Sequence, residues 1–268
     1  MNKRDLILNA IIQEYLSSKE PIGSMELKLK LNISISPSTI RLYLKKLSQE
    51  GALAQLHVSS GRIPTVGALI EYWKSKIDTS NVLEIGSVEV IKDAIDEYEI
   101  YCLATKSKKD WLKEIINVDN RYLILTFDEH EVVLKYNGKV EKFLTGLVGL
   151  EIRELKSIAS QVGLYDLHKK LSDLISSSEI LKAGESELYE IAKKIRDKKF
   201  LEYLLDYEFT LNLSDGIYFD GFVPRGCLAF KQPAKIDDQS AELFCFGSVQ
   251  SDFSSFLYKL CNEGDKES

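Results

Sequence analysis

His57-Val58-Ser59-Ser60-Gly61-Arg62-Ile63-Pro64-Thr65 follows three segments of helical apolar spacing, and this succession decides the fold of the first quarter of the chain. A single arginine stands in a loop of small residues, where backbone can pass close to another group, and Pro64 stiffens the chain as it leaves. Upstream, Ser36-Pro37-Ser38 reads as a helix start. Ser36 suits the N-cap, and Pro37 suits the first helical position, where its missing N–H costs nothing. The helix is expected over 37–50, with Gly51 as its stop. Ile40, Leu44 and Leu47 fall at i, i+4 and i+7 and should face a core with Tyr43 beside them. Ser38, Thr39, Arg41, Leu42, Lys45 and Lys46 then face outward. Such a face can enter a major groove, its first turn at base edges and its lysines at phosphates, with the arginine loop as a wing.

Working outward, Leu6, Ile7, Ala10, Ile11, Tyr15 and Leu16 give an amphipathic first helix over 3–16. The run Lys19-Glu20-Pro21-Ile22-Gly23-Ser24 breaks it. Ser24 is read as the N-cap of a short second helix over 25–31, with Met25, Leu27, Leu29 and Leu31 as its apolar surface. Their alternation also suits a strand, and the helix start at Ser36 favours the helix.

The charge distribution agrees. The 268-residue chain carries a net charge of −6, which by itself argues against nucleic acid. Residues 1–76, however, hold eleven Lys and Arg against six acids, a net of +5, which leaves −11 for the remainder. A basic head on an acidic body is the asymmetry of a chain that meets phosphate at one end only.

Taken in order, Glu20-Pro21-Ile22-Gly23-Ser24, Ser38-Thr39-Ile40-Arg41, Gly51-Ala52-Leu53 and the segment His57 to Thr65 resemble the N-terminal domain of the heat-inducible transcription repressor HrcA family. The resemblance implies a bacterial winged-helix homodimer that binds double-stranded DNA at an inverted repeat called CIRCE, upstream of chaperone operons. It further implies release on heat shock and restoration of the active form by the GroE chaperonin. The helix face and the resemblance together give the expected DNA-binding set: Ser24, Ser38, Thr39, Arg41, Leu42, Lys45, Lys46, His57, Ser59, Ser60, Gly61 and Arg62. Two departures stand out. After Thr39-Ile40-Arg41 the family usually has Asn and Asp, where this chain has Leu42 and Tyr43, so the operator preference stays open. The wing reads Ser59-Ser60-Gly61 where the family more often has Ser-Ala-Gly.

Beyond the wing, Val66, Leu69, Ile70, Trp73 and Ile77 give a connecting helix over 66–77, and Asp78-Thr79-Ser80-Asn81 is a polar break. Helical patterning is expected again from Val82 to about Asn117. Strand-like runs follow at 121–127 and 131–136, the second closed by Asn137-Gly138 as a hairpin turn into 139–143. A helix near 151–162 and a charged helical stretch over 164–205, interrupted at Ala183-Gly184, come next. Strand-like runs at 216–223, 227–230 and 241–246 and a final helix near 251–261 complete the chain. The fold class expected is therefore α+β: an N-terminal winged helix-turn-helix, and a body whose strand, helix, strand order is similar to the family's GAF-like domain with a helical dimerising insertion. The expected division is a winged-helix domain over 1–77, a linker with bridging helices over 78–120, and the GAF-like domain over 121–268 with its insertion near 163–199. Residues 1–77 carry nearly all the diagnostic identity; the rest is consistent with the family.

No enzyme, cofactor or metal site is expected. His57, His130 and His168 lie in no metal-spaced cluster with cysteine, and Cys102, Cys227, Cys245 and Cys261 form no Cys-x-x-Cys pair, so free core thiols in a reduced cytosolic setting are the reading. Gly216, Gly221, Gly226 and Gly247 make no phosphate-cradling loop. Asp128, Glu129 and Glu131 are expected to be solvated near a turn rather than paired for acid–base work. An alternative from another class is a small-molecule-sensing winged-helix regulator, with Tyr218, Phe219, Phe222, Phe230, Phe244 and Phe246 lining a pocket in the body. No segment reaches the roughly 18–20 apolar residues needed to cross a bilayer, and no signal-peptide core follows Met1 to Asp5, so no membrane partner and a cytoplasmic location are expected.

Overall fold

The computed structural model describes residues 3–30, 35–57, 61–107, 110–176, 179–195, 198–205, 210 and 213–262. Three helices come first, α1 (Lys3–Ser18), α2 (Ser24–Lys30) and α3 (Pro37–Gln49), then the short strands β1 (Leu53–Ala54) and β2 (Ile63–Pro64), then α4 (Val66–Lys76). Local chemistry sets these boundaries. Ser36 caps α3 from extended backbone, its hydroxyl accepting the Thr39 N–H at 3.1 Å, with Pro37 in the first turn. Gly51, at φ +76°, ends it. Thr65 caps α4 in the same way, accepting the Ala68 N–H at 3.3 Å, a start signal that the sequence reading passed over.

The inner faces of these elements share one core of Ile7, Ile11, Tyr15, Ile22, Leu27, Ile35, Ile40, Leu44, Leu47 and Leu53. Burial of each aliphatic side chain stabilises the folded head by about 1.5–3 kcal/mol. Here α2 departs from expectation. Ser24 is its first helical residue rather than its cap, because the Gly23 carbonyl already accepts the Leu27 N–H. Of its expected apolar surface, only Leu27 is buried; Met25 and Leu29 are exposed, and Leu31 lies outside the described residues.

The rest of the chain runs β3 (Leu83–Ile85), α5 (Val88–Tyr98), β4 (Tyr101–Lys106), β5 (Glu114–Val118), β6 (Tyr122–Thr126), β7 (Glu131–Lys135), α6 (Gly138–Thr145), α7 (Ile152–Gln161) and α8 (Tyr165–Ser176). Then come β8 (Glu179–Ala183), α9 (Glu185–Ile195), α10 (Lys198–Leu205), β9 (Gly216–Tyr218), β10 (Cys227–Ile236), β11 (Gln239–Ser248) and α12 (Phe253–Asn262). By compactness the chain forms two units. Met1–Cys102, Lys182–Asp238 and Leu243–Ser268 make the first, and Leu103–Leu181 with Gln239–Glu242 the second.

The larger sheet has the order β3-β10-β11-β4-β8, with β9 also paired to β10. Strand β10 takes β3 in parallel register (Ala234↔Leu83) and β9 antiparallel (Ala229↔Tyr218). It is buried on both faces over Cys227 to Gln232, as a central strand should be. Helices α5 and α12 pack together, with Phe253, Phe256 and Leu260 buried. Helix α4 is bound to the residues around β11's end: the Trp73 indole N–H donates to the Val249 carbonyl at 2.7 Å, and its ring meets Phe253 edge-on at 5.4 Å. Lys19, at φ +58°, adds a second tie by donating to the carbonyls of Leu16 and Gln250. Burial holds its ammonium below the usual lysine range, with Asp252 and Glu99 acting in the opposite sense.

The second unit contains an antiparallel meander β5-β6-β7, in which Ile116, Ile124 and Val133 stand in one cross-strand row. Leu123, Leu125, Val132 and Leu134 are its buried side. On the other side Ile116, Val118, Tyr122 and Val133 are exposed. Asp128 stands at the surface in an ion pair. Its oxygens take the Lys113 ammonium at 2.9 Å and the Trp111 N–H at 3.1 Å, and the lysine holds its carboxyl below the usual range. His130 Nδ1 lies 2.6 Å from Asp110, whose side chain is almost wholly buried.

Several expectations are corrected here. Helix occupies only α5 within 82–117, and β3, β4 and β5 fill the remainder. Glu99 ends that helix in a left-handed cap at φ +54°, and the apolar run Ile100 to Ala104 that follows is a fully buried strand, which periodicity alone cannot tell from helix. Asn137-Gly138 is not a hairpin turn: the Asn137 side chain accepts the N–H groups of Lys139 and Val140 at 3.0 and 3.3 Å and starts α6 instead. The interruption expected at Ala183-Gly184 in the helical stretch is the end of a strand, β8, which separates α8 from α9. The six aromatics expected to line a pocket do not converge. Phe230, Phe244 and Phe246 are core, Phe222 is exposed, and Phe219 lies under the Lys74 ammonium at 5.7 Å. The four cysteines are free, yet Cys102 and Cys245 bring their sulfurs to 3.2 Å in the core.

Candidate nucleic-acid interface

Helix α3 presents the face that the spacing implied. Ile40, Leu44 and Leu47 are buried, while Ser38, Arg41, Leu42, Lys45 and Lys46 are exposed and Thr39 is half-buried. The first-turn hydroxyls are held by the cap: Ser36 Oγ lies 2.7 Å from Ser38 Oγ and 2.8 Å from Thr39 Oγ1. Arg41 Nε reaches back to the Pro37 carbonyl at 3.4 Å, a weak bond that leaves the rest of the guanidinium available. Leu42 points a large apolar side chain into solvent, 66% exposed.

Three acids of the head, Asp5, Glu14 and Glu50, are engaged elsewhere. Glu50 Oε2 takes Arg4 at 2.6 Å, Asp5 takes Arg4 at 2.8 Å, and Glu14 pairs with Lys30. Both of its carboxylates hold the Arg4 guanidinium above its ordinary range. Among the described residues, no ion pair joins Arg41, Lys45 or Lys46 to an acid. The outer face of α3 therefore keeps its positive charge uncompensated.

Beside it, β1 and β2 pair antiparallel, Leu53 with Pro64 and Ala54 with Ile63. Ile22, between α1 and α2, exchanges both backbone hydrogen bonds with Arg62 at 2.9 Å. This bridge explains Gly61. A Cβ there would stand 2.5–2.7 Å from the Ile22 backbone, so glycine is required by that internal approach. The Arg62 side chain is tied as well: Nε donates to Ser48 Oγ at 3.0 Å, joining the β2 arm to the end of α3. His57 is exposed beyond β1, and Ser24 is half-buried at the start of α2. Ser59 and Ser60, with Val58, lie outside the described residues. The structure thus gathers Ser38, Thr39, Arg41, Leu42, Lys45 and Lys46 on one helix and puts Arg62 at its C-terminal end. Sequence reading missed Ser48 and Ile22, the residues that position Arg62; nothing in their local pattern signals a bond to a site 14 or 40 positions away.

Among the described residues no group of three His, Cys, Asp or Glu could hold a metal ion. Burial pushes the Cys227 thiol up to about 11, with Asp220 adding to the effect, and raises Cys245 well above the usual range; neither is a reactive thiolate. No helix among the described residues is long and apolar enough to cross a membrane.

Comparison with known proteins bears on the whole chain. A family model described as the HrcA C-terminal domain matches residues 73–264. Two curated relatives named heat-inducible transcription repressor HrcA, from two strains of Helicobacter pylori, are 30% and 29% identical over 266 and 264 residues. In each case the match covers 98% of this chain and 96% of the relative. A crystal structure described as a hypothetical protein is similar at 22% identity and a TM-score of 0.48, over 97% of this chain and 96% of that one.

Proposed function

Because the chain belongs to the HrcA family of heat-inducible transcription repressors, we propose that it represses chaperone operons by binding a CIRCE-type inverted repeat as a homodimer and lets go on heat stress. The reading is carried by the outer face of α3, where Arg41, Lys45 and Lys46 stand without acid partners among the described residues while Asp5, Glu50 and Glu14 pair with Arg4 and Lys30. In this reading residues 1–77 are a winged-helix domain with α3 in the major groove, and the arm of His57, Ser59, Ser60, Gly61 and Arg62 is the wing along the backbone. Ser24, at the start of α2, faces a phosphate. Residues 78–120 connect it to a GAF-like body over 121–268.

Two-fold symmetry of an inverted repeat calls for two heads. The dimer is proposed to form through the second unit, whose meander exposes Ile116, Val118, Tyr122 and Val133 on one face; an uncovered apolar sheet face of this kind is a docking surface. The insertion of the family would then comprise much of 103–181 as well as part of 163–199. Location in the cytoplasm, and reactivation by the GroE chaperonin, belong to the same proposal.

Fluorescence anisotropy of the full chain on the inverted repeat and on a scrambled duplex, across a salt series, tests it. Specific binding that weakens steeply with salt is expected. Equal affinity for the two duplexes would leave a nucleic-acid-binding head without the proposed operator. Sedimentation at growth and heat-shock temperatures tests the dimer and its release: a single monomeric species at both would remove the homodimer.

A further inference from the structure

Leu42 is the one large apolar side chain on the outer face of α3. It is 66% exposed and sits one turn beyond Ser38, with Arg41 before it and Lys45 and Lys46 one turn after. The hydroxyls that could compete for base edges in the first turn are already engaged: those of Ser38 and Thr39 close on Ser36 Oγ. Leu42 has no share in the head core, which is built from the other side of the helix. A leucine kept in water beside Arg41, Lys45 and Lys46, none of them ion-paired among the described residues, is placed to meet a polyanion that carries an apolar feature. In the major groove that feature is the 5-methyl group of thymine, the sole apolar mark on any base edge.

We infer that Leu42 is a specificity-determining residue that packs against a thymine methyl group in each half-site. The inference rests on the reading of α3 as a recognition helix in the major groove. It assigns to the protein an operator preference for thymine at one position per half-site, sensed by van der Waals contact and exclusion of water rather than by hydrogen bonding. Charge complementarity between the flanking cations and phosphate fixes duplex DNA as the occupant of this face.

The test replaces thymine by deoxyuridine, which lacks only the methyl group, one position at a time through both half-sites of a duplex selected by the full chain from a random library. Wild-type protein should lose about fourfold in affinity at one symmetric position, the value of one buried methyl group, and more than tenfold when both half-sites are changed. Leu42→Ala should bind thymine and deoxyuridine duplexes equally at that position, and Leu42→Met should restore the difference. Because Leu42 lies outside the core, both variants should keep the wild-type melting temperature, which separates loss of reading from loss of fold. Specific binding in which no thymine position depends on Leu42 overturns the inference and leaves the repressor reading standing. Failure of wild-type protein to select any sequence overturns both.

Discussion

A methyl group at position 61 would stand 2.5 Å from the carbonyl carbon of Ile22. The bridge between Ile22 and Arg62 cannot yield without giving up two backbone hydrogen bonds, so Gly61→Ala is expected to destabilise the head by about 1–3 kcal/mol, seen in urea denaturation. Arg62→Ala removes the bond to Ser48 at 3.0 Å and the longer one to the Gly61 carbonyl at 3.4 Å, while the core of the head, to which the Arg62 side chain does not belong, stays intact. It should weaken operator binding in the anisotropy assay, and unchanged affinity would take Arg62 off the contact surface. At Asp128 the sign of the pH effect follows from Lys113, which lowers the folded-state pKa. The stabilisation is present above the unfolded carboxylate value and disappears as pH falls through the lowered one. Lys113→Gln should raise the Asp128 pKa toward its ordinary value in an NMR titration. At this scale the sequence told which residues are polar and exposed, but not which of them are tied. Gly61 was read only as a residue serving a ligand, and the path of the chain at Ile22 shows that the fold needs it as well.

Among the elements, α3 separates stability from recognition by face. Leu47→Ala should cost about 2–5 kcal/mol, as deletion of a fully buried leucine does, and Ser36→Ala about 1 kcal/mol through loss of the cap. Lys45→Ala and Lys46→Ala should leave the melting curve unchanged, weaken all duplexes alike and each reduce the salt slope by about one. Helices α1, α3, α4 and α12 were legible because their apolar spacing is helical, and α3 also because Ser36, Pro37 and Gly51 mark its ends. The body was harder. Strand β4 is buried at every residue from Tyr101 to Thr105 and so has no alternation to read. Strand β5, Glu114-Ile115-Ile116-Asn117-Val118, was absorbed into an expected helix, and Asn137 serves equally well as a turn residue or a helix cap until its neighbours are known. The family model falls on 73–264, the part of the chain whose own residues said least.

For the whole molecule, the head is not a bead on a loose string. Trp73 and Lys19 tie it to the carbonyls of Val249 and Gln250, inside the same compact unit as the larger sheet. Trp73→Phe keeps the ring contact with Phe253 but leaves the Val249 carbonyl without its buried donor, and should lower stability by about 1–3 kcal/mol. Calorimetry should then show a lower, and still shared, transition for the head and the sheet. The same attachment gives the protein an optical signature of its own. Its two tryptophans, Trp73 and Trp111, fall one in each unit, the first fully buried and hydrogen-bonded and the second 40% exposed. Emission at the blue edge of the spectrum therefore belongs to Trp73. A red shift there on heating would report the moment the indole parts from Val249, with no dye, label or DNA in the cuvette.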